Sequence, residues 1–414
     1  MSTDPPAENS DAAAESPRLQ ALFTAMHDSG ERAPAAVLAA EPLFGLACTN
    51  GMAGPFPCRA IALESYLPLS SIGGGNGNDI WGWTDPQTGR EYALMGKTTG
   101  TAFIDVGTPD KPVYLGDLPS HQRDRQFAAW RDIKVYRDHA FIVADKAGHG
   151  LQVFDLTRLR GVTEPQTWTE DAHYARFGNS HNIAINEDTG FAYAVGSDTC
   201  RGGLHMIDIR NPKSPAFAGC FSEDGYTHDT QSVVYNGPDE RFTDREICFS
   251  SNEDTLTIVD VTDKAAPTML SRTPYEGSAY THQGWLTEDQ RHFLLNDELD
   301  EQQSGVPTST YIFDVADLRA PKLTGVYRAA VAAIDHNLYT KGDRVYEANY
   351  RSGLRVLDST RVAEGELEEV AFFDVYPEDD EAEFNGAWSV YPYFESGIVI
   401  VSGIEQGLFV LRPD

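Results

Sequence analysis

From about residue 58 onward, short apolar and aromatic runs alternate with turn residues, and no long helical pattern intervenes. Such punctuation predicts strands joined by tight connections. Seven segments stack without a gap: NDIWGWTD, RDIKVYRD, HNIAINED, HDTQSVVY, HQGWLTED, HNLYTKGD and NGAWSVYP. Each begins with a polar pair and continues with strand alternation. Their first column reads Asn78, Arg131, His181, His228, His282, His336 and Asn385, at spacings of 47 to 54 residues. That period is close to the ~50 residues of kelch-like propeller blades and leaves room for four strands per unit.

A second motif recurs once per unit: GTAFIDV, GLQVFDL, GLHMIDI, TLTIVDV, TYIFDV, GLRVLDS and GLFVLRP. These read as third strands. In the first six, Asp105, Asp155, Asp208, Asp260, Asp314 and Asp358 follow the apolar run, where a carboxylate accepts hydrogen bonds from the next turn's N–H groups. The seventh copy has Arg412 instead and is followed by too few residues for a fourth strand. Near the N-terminus, CRAIALESYLPLS is a strand without a blade. Pairing the two removes the exposed edges of an open ring. The prediction is an all-β, seven-bladed β-propeller over residues 46–414, closed by an N-terminal strand near 59–69 in the last blade. Its blades start near 78, 130, 180, 227, 281, 335 and 385. Residues 1–45, poor in apolar side chains apart from LQALFTAM, read as a flexible leader.

In a propeller, the start of each first strand shares one face with the loops joining second to third strands. The histidine column and the next one (Asp79, Asp132, Asn182, Asp229, Gln283, Asn337, Gly386) therefore surround an axial mouth. The loops add Lys97, Asp145, Asp198, Glu253, Asp297, Glu298, Asn349 and Glu405. Neutral imidazole ligates zinc, iron and copper, and each ligand ring needs its other nitrogen oriented by a carboxylate or carbonyl. His181, His228, His282 and His336 are thus candidate ligands of one divalent transition metal, with zinc, iron and copper not distinguished. Asp132, Asp229, Glu253, Asp297 and Glu298 are candidate supporting carboxylates. Asp335, just before His336, either joins them or caps the incoming loop. A second reading stays open: as in WD-repeat blades, each histidine serves hydrogen bonding within its own blade and holds no metal. Variation of the following column between Asn, Asp and Gln speaks against a repeated blade-local network.

The 63 acidic and 32 basic residues give a formal charge of -31. Such a surface repels nucleic-acid phosphates and anionic headgroups, so the expected partner is a protein or small molecule, and the propeller is expected to be a monomer. No stretch approaches the ~20 apolar residues of a membrane span. Cys200 opens one strand and Cys220 closes the next, so a hairpin sets them opposite each other, and Cys48 and Cys58 bracket the loop TNGMAGPFP. Two disulfides are expected, with Cys248 a buried free thiol opposite Ser232. Disulfides imply an oxidising compartment. MSTDPPAENSDAAAESPR lacks the basic start and apolar core of a signal peptide, so any export signal is expected to have been removed.

Other motifs add less. SIGGGNGND precedes no helix and reads as a loop into the first blade. No G-x-S-x-G or C-x-x-C pattern is present. The acidic runs NDELDE and PEDDEAE lack the alternation and glycine of a calcium loop and read as solvated. Trp81, Trp130, Trp285 and Trp388 are expected to pack between blades or, at an open mouth, to line a sugar or peptide site.

The third-strand runs resemble LVIVD repeats. With them, GMAGPFPC, WRDIKVY, SHNIAIN, GYTHDTQSVVYNGP, YTHQGWLTED, NDELDE, IDHNLY, EANYRSGLRVLD and NGAWSVYPYF resemble bacterial choice-of-anchor B proteins, from about Ala47 to the C-terminus. The resemblance implies an exported protein, commonly attached to the cell surface through a C-terminal sorting signal, and supplies no activity. This chain stops at LFVLRPD, so an extracellular, cell-surface or periplasmic protein without that anchor is expected. The functional expectation is an exported module that binds a metal ion, and a ligand with it, at the four-histidine face. A metalloenzyme using metal-activated water or oxygen and a metal-free scaffold are the alternatives.

Overall fold

Every strand run found in the sequence belongs to one of seven sheets. The computed structural model describes residues 39–121 and 128–414, so most of the expected leader lies outside the described residues. The innermost strands are Gly77–Thr84, Arg131–Tyr136, Asn182–Asn186, Asp229–Val234, Thr281–Leu286, Asn337–Lys341 and Ala387–Tyr391, each opening one blade of the propeller. An N-terminal strand closes the ring in the last blade. Gly407–Pro413 pairs antiparallel with Ile61–Pro68, setting Phe409 opposite Tyr66. Leu43–Leu46 adds a further strand there, so the last residues assigned to the leader belong to the closing blade. The sixth blade is likewise widened, by Phe56–Arg59.

The six third-strand aspartates serve their turns. Asp105, Asp155, Asp208, Asp260, Asp314 and Asp358 each accept the N–H two residues ahead at 2.8 to 3.1 Å. Arg412 instead donates to the Ser396 carbonyl at 2.8 Å and ion-pairs with Glu64 of the closing strand. The apolar residues of these runs fill the spaces between blades. Phe103 stacks on Phe154 at 4.6 Å between centroids across the first two blades, and Phe409 lies among Phe56, Tyr66 and Phe373 where the ring closes.

Innermost strands of neighbouring blades belong to separate sheets, and side chains bridge them. Asp79 accepts Ile133 N–H at 2.9 Å, Asp132 accepts Ile183 N–H at 2.7 Å, and Gln231 accepts Leu286 N–H at 2.8 Å. Gln283 bonds both the N–H and the carbonyl of Leu338. Asp79, Asp132, Asn182 and Gln283 of the column after the histidines thus hold blade to blade, joined by Gln231 from farther along its strand. Both expected disulfides are formed, Cys48–Cys58 and Cys200–Cys220, with Cα atoms 5.9 and 5.7 Å apart. Cys248 is free, buried and opposite Ser232.

Candidate metal centre

Because the histidines stand at one register position of successive innermost strands, the fold places their rings side by side. Centroids of His181 and His228 lie 4.3 Å apart, those of His228 and His282 4.1 Å, and those of His282 and His336 4.3 Å. All four are buried. The rings form an arc, and Glu298 sits inside it. One Glu298 oxygen lies 3.5 Å from His282 Nε2 and the other 3.6 Å from His336 Nε2. His228, His282 and Glu298 each offer a ligand atom within 4.8 Å of the other two.

The fold holds the outward nitrogens of His181, His228 and His336, whereas His282 Nδ1 is buried without a partner. His228 Nδ1 lies 2.9 Å from the carbonyl of His282, and His336 Nδ1 lies 2.5 Å from that of Trp388, so each Nδ1 carries the proton and donates. His181 Nδ1 faces Asp145 Oδ2 at 3.2 Å. That protonation leaves the Nε2 lone pair free to ligate, the arrangement seen in metal-binding histidines. His228 Nε2 and Glu298 Oε2 are buried without a hydrogen-bond partner. These contacts run between blades, from His228 and His336 to the following blade and from His181 to the preceding one, so the three rings join blades and still keep their axial nitrogens available.

Burial sets the charges. It holds His228 and His282 well below the usual histidine range and His336 down at about 3, so these three are neutral at pH 7. It pushes Glu298 up to about 8 against the hydrogen bond that Tyr350 Oη donates at 2.6 Å. Without a cation this carboxyl keeps its proton at neutral pH. The aromatic surround of Tyr280, Tyr350, Trp388 and Phe384 supplies the low dielectric.

Glu298, expected among the carboxylates that support the ring, instead faces two imidazoles as a potential ligand. Asp297 caps the incoming loop of the fifth blade, accepting Tyr280 N–H at 2.6 Å, Tyr275 Oη–H at 2.6 Å and Ala279 N–H. Asp132 and Asp229 lie deeper in the channel with Asp79 and Lys134. Lys134 Nζ is 2.5 Å from Asp132 and 4.0 Å from Asp79. Burial raises Asp132, but Lys134 and its hydrogen bonds prevail and hold it low, whereas burial lifts Asp229 to about 7. The Glu253 carbonyl accepts Thr281 N–H at the start of the fifth blade. The run NDELDE, expected to be solvated, is buried throughout. Sequence reasoning set Glu298 in a supporting place because a loop residue's direction has no periodicity to betray it.

Trp130 and Trp388 flank the arc, 6.2 Å from His181 and 4.8 Å from His336. Trp81 and Trp285, three residues beyond the column, face the other mouth. There they line a cavity of about 420 Å³ with Lys134, Glu187, Tyr391 and Tyr393.

Two stretches of the chain match LVIVD repeat, residues 177–222 and 248–273, each containing one third strand. The chain carries LVIVD repeats. The two matched stretches contain the runs GLHMIDI and TLTIVDV, each ending in a turn-capping aspartate, Asp208 and Asp260. A search of the curated proteins finds no match. Among solved structures, the Cps50 (Swd1) β-propeller domain of Myceliophteria thermophila is similar at 12% identity, covering 82% of this chain and 97% of that one, with a TM-score of 0.53. Hydrazine synthase of Kuenenia stuttgartiensis is similar at 11% identity, covering 78% and 93%, also with a TM-score of 0.53. At these identities the likeness concerns the fold alone. No helix among the described residues is long and apolar enough to cross a membrane.

Proposed function

We propose that this LVIVD-repeat propeller is an exported binding module that holds a divalent transition metal between His228, His282 and Glu298. His181 and His336 flank that trio. The supporting observation is the pair of buried, unpartnered atoms, His228 Nε2 and Glu298 Oε2, beside His282. Burying such groups without a partner costs about 1–3 kcal/mol each, and an ion satisfies both at once. Tetrahedral zinc at 2.0–2.1 Å from each donor needs donor atoms about 3.4 Å apart, and the 3.5 Å between His282 and Glu298 already matches. Two neutral imidazoles and one carboxylate leave a fourth position for water or a small ligand. Binding there is the module's activity. Two disulfides support an oxidising, exported setting.

Cobalt titration of protein purified without an affinity tag tests this reading. Intense visible absorption that saturates at one equivalent is expected in the wild type, and none in His228→Ala/His282→Ala. A flat titration of correctly folded wild type would leave the structural role alone. The metalloenzyme alternative draws on the same fourth position. It gains support if azide or an oxygen analogue alters the cobalt spectrum, and loses it if the centre is inert to both.

A further inference from the structure

The acidic run continues past Glu298, and its last two carboxylates converge with one from the next blade. Asp300 and Glu301 open the short helix Asp300–Ser304, while Asp335 precedes His336 at the start of the sixth blade. They are 1%, 4% and 0% exposed. Each offers one ligand oxygen, and the three lie within 4.8 Å of one another. Protein groups hold one oxygen of each. Tyr311 Oη donates to Asp300 Oδ2 at 2.7 Å, Ser309 N–H to Asp335 Oδ2 at 3.4 Å, and Asp335 N–H to Glu301 Oε1 at 3.4 Å. The second oxygens, Asp300 Oδ1, Glu301 Oε2 and Asp335 Oδ1, are buried and receive no hydrogen bond from outside the trio, within which the Asp300 and Glu301 carboxyls meet.

No lysine or arginine among the described residues forms an ion pair with any of the three. The nearby Arg328 spends its Nη1 on Ser309 Oγ at 2.9 Å. Three carboxyls removed from water with no ion-paired counter-charge must either hold protons or share a cation, because isolated buried anions are prohibitively costly. The donors are all oxygen. That selects a hard cation over the nitrogen-preferring metals suited to the histidine arc. Three carboxylates in one buried pocket exceed the one or two that magnesium usually takes while keeping its waters, and match calcium's demand for many oxygens.

We propose that Asp300, Glu301 and Asp335 form a second cation site, separate from the histidine arc, that takes calcium. The ion ties the loop of the fifth blade that carries Glu298 to the segment, with His336, that leads into the innermost strand of the sixth. The site stands on its own oxygens and does not require metal at the histidines.

Protein stripped with chelators is titrated with calcium by calorimetry and with terbium by luminescence, Tyr311 serving as the light-absorbing donor beside the site. Saturable binding of one calcium is expected, along with calcium-competed terbium emission and a calcium-dependent rise in melting temperature. Glu301→Gln/Asp335→Asn is expected to weaken binding by at least about tenfold, whereas His228→Ala/His282→Ala leaves it within about threefold. The double amide removes like charge at nearly constant shape, so its calcium-free melting temperature should not fall below that of the wild type. Absence of saturable calcium binding in the wild type overturns the proposal. So does calcium binding that survives Glu301→Gln/Asp335→Asn but is lost with the histidines. A calcium-free double amide far less stable than wild type, with no calcium-dependent rise in either, would instead establish a proton-sharing structural network.

Discussion

Raising pH should tighten transition-metal binding through a single group, Glu298. Burial holds His228 and His282 well below the usual histidine range and His336 at about 3, so they surrender no proton to an incoming ion near neutrality. Glu298, lifted to about 8, does. At pH 7 the metal must displace its proton at a cost of about 1.4 kcal/mol, one pH unit of work. Apparent zinc affinity should therefore rise about tenfold per pH unit up to about pH 8 and level off above it, with one proton released per ion. Calorimetry in buffers of different ionisation enthalpy, from pH 6 to 9, reads both slope and proton count. In Glu298→Gln the slope should vanish and affinity should fall. A wild-type slope that ends near pH 6.5 with two or more protons released would mean that the imidazoles are charged before binding, and would overturn the assignment to Glu298.

The same groups predict the pH dependence of stability in metal-free protein. Asp229, Asp297 and Glu298 have folded values raised to about 7, 7 and 8, so above pH 6.5 the unfolded chain binds fewer protons and stability should fall toward pH 8. Chemical denaturation at closely spaced pH checks this, and a rise over that window contradicts it. Lys134→Met strands Asp79, Asp132 and Asp229 in the channel and should cost about 3–5 kcal/mol in the same assay. Phe409→Ala empties the contact with Phe56, Tyr66 and Phe373 at the closure seam and should cost about 3–5 kcal/mol. Replacing Cys200 and Cys220 by serine opens a link spanning 20 residues and should cost about 3 kcal/mol by equilibrium unfolding.

Much of the ring was legible because propeller blades repeat their chemistry at a fixed register. The column from Asn78 to Asn385 marks the innermost strands, and the capping aspartates mark the third. Arg412 in place of a seventh aspartate pointed to closure by Ile61–Pro68. The added strands at Leu43–Leu46 and Phe56–Arg59 were not legible, since they occur once and obey no repeat. Convergence of the four imidazoles followed from register. The place of Glu298 among them did not, for it depends on how one loop turns beneath Tyr280 and Tyr350. The burial of Asn296 to Glu301 was hidden for a related reason: an acidic run reads as solvated until its neighbours are known.

Everything proposed for the histidine face turns on one ion lying between His228, His282 and Glu298. Crystals of untagged protein grown with zinc, measured on both sides of the zinc absorption edge, would locate that ion. An anomalous peak is expected within bonding distance of His228 Nε2, His282 Nε2 and a Glu298 oxygen, and absent from His228→Ala/His282→Ala. No peak in the arc of a folded wild-type protein, or an equal peak in the variant, would show that the rings hold blades together and bind no metal.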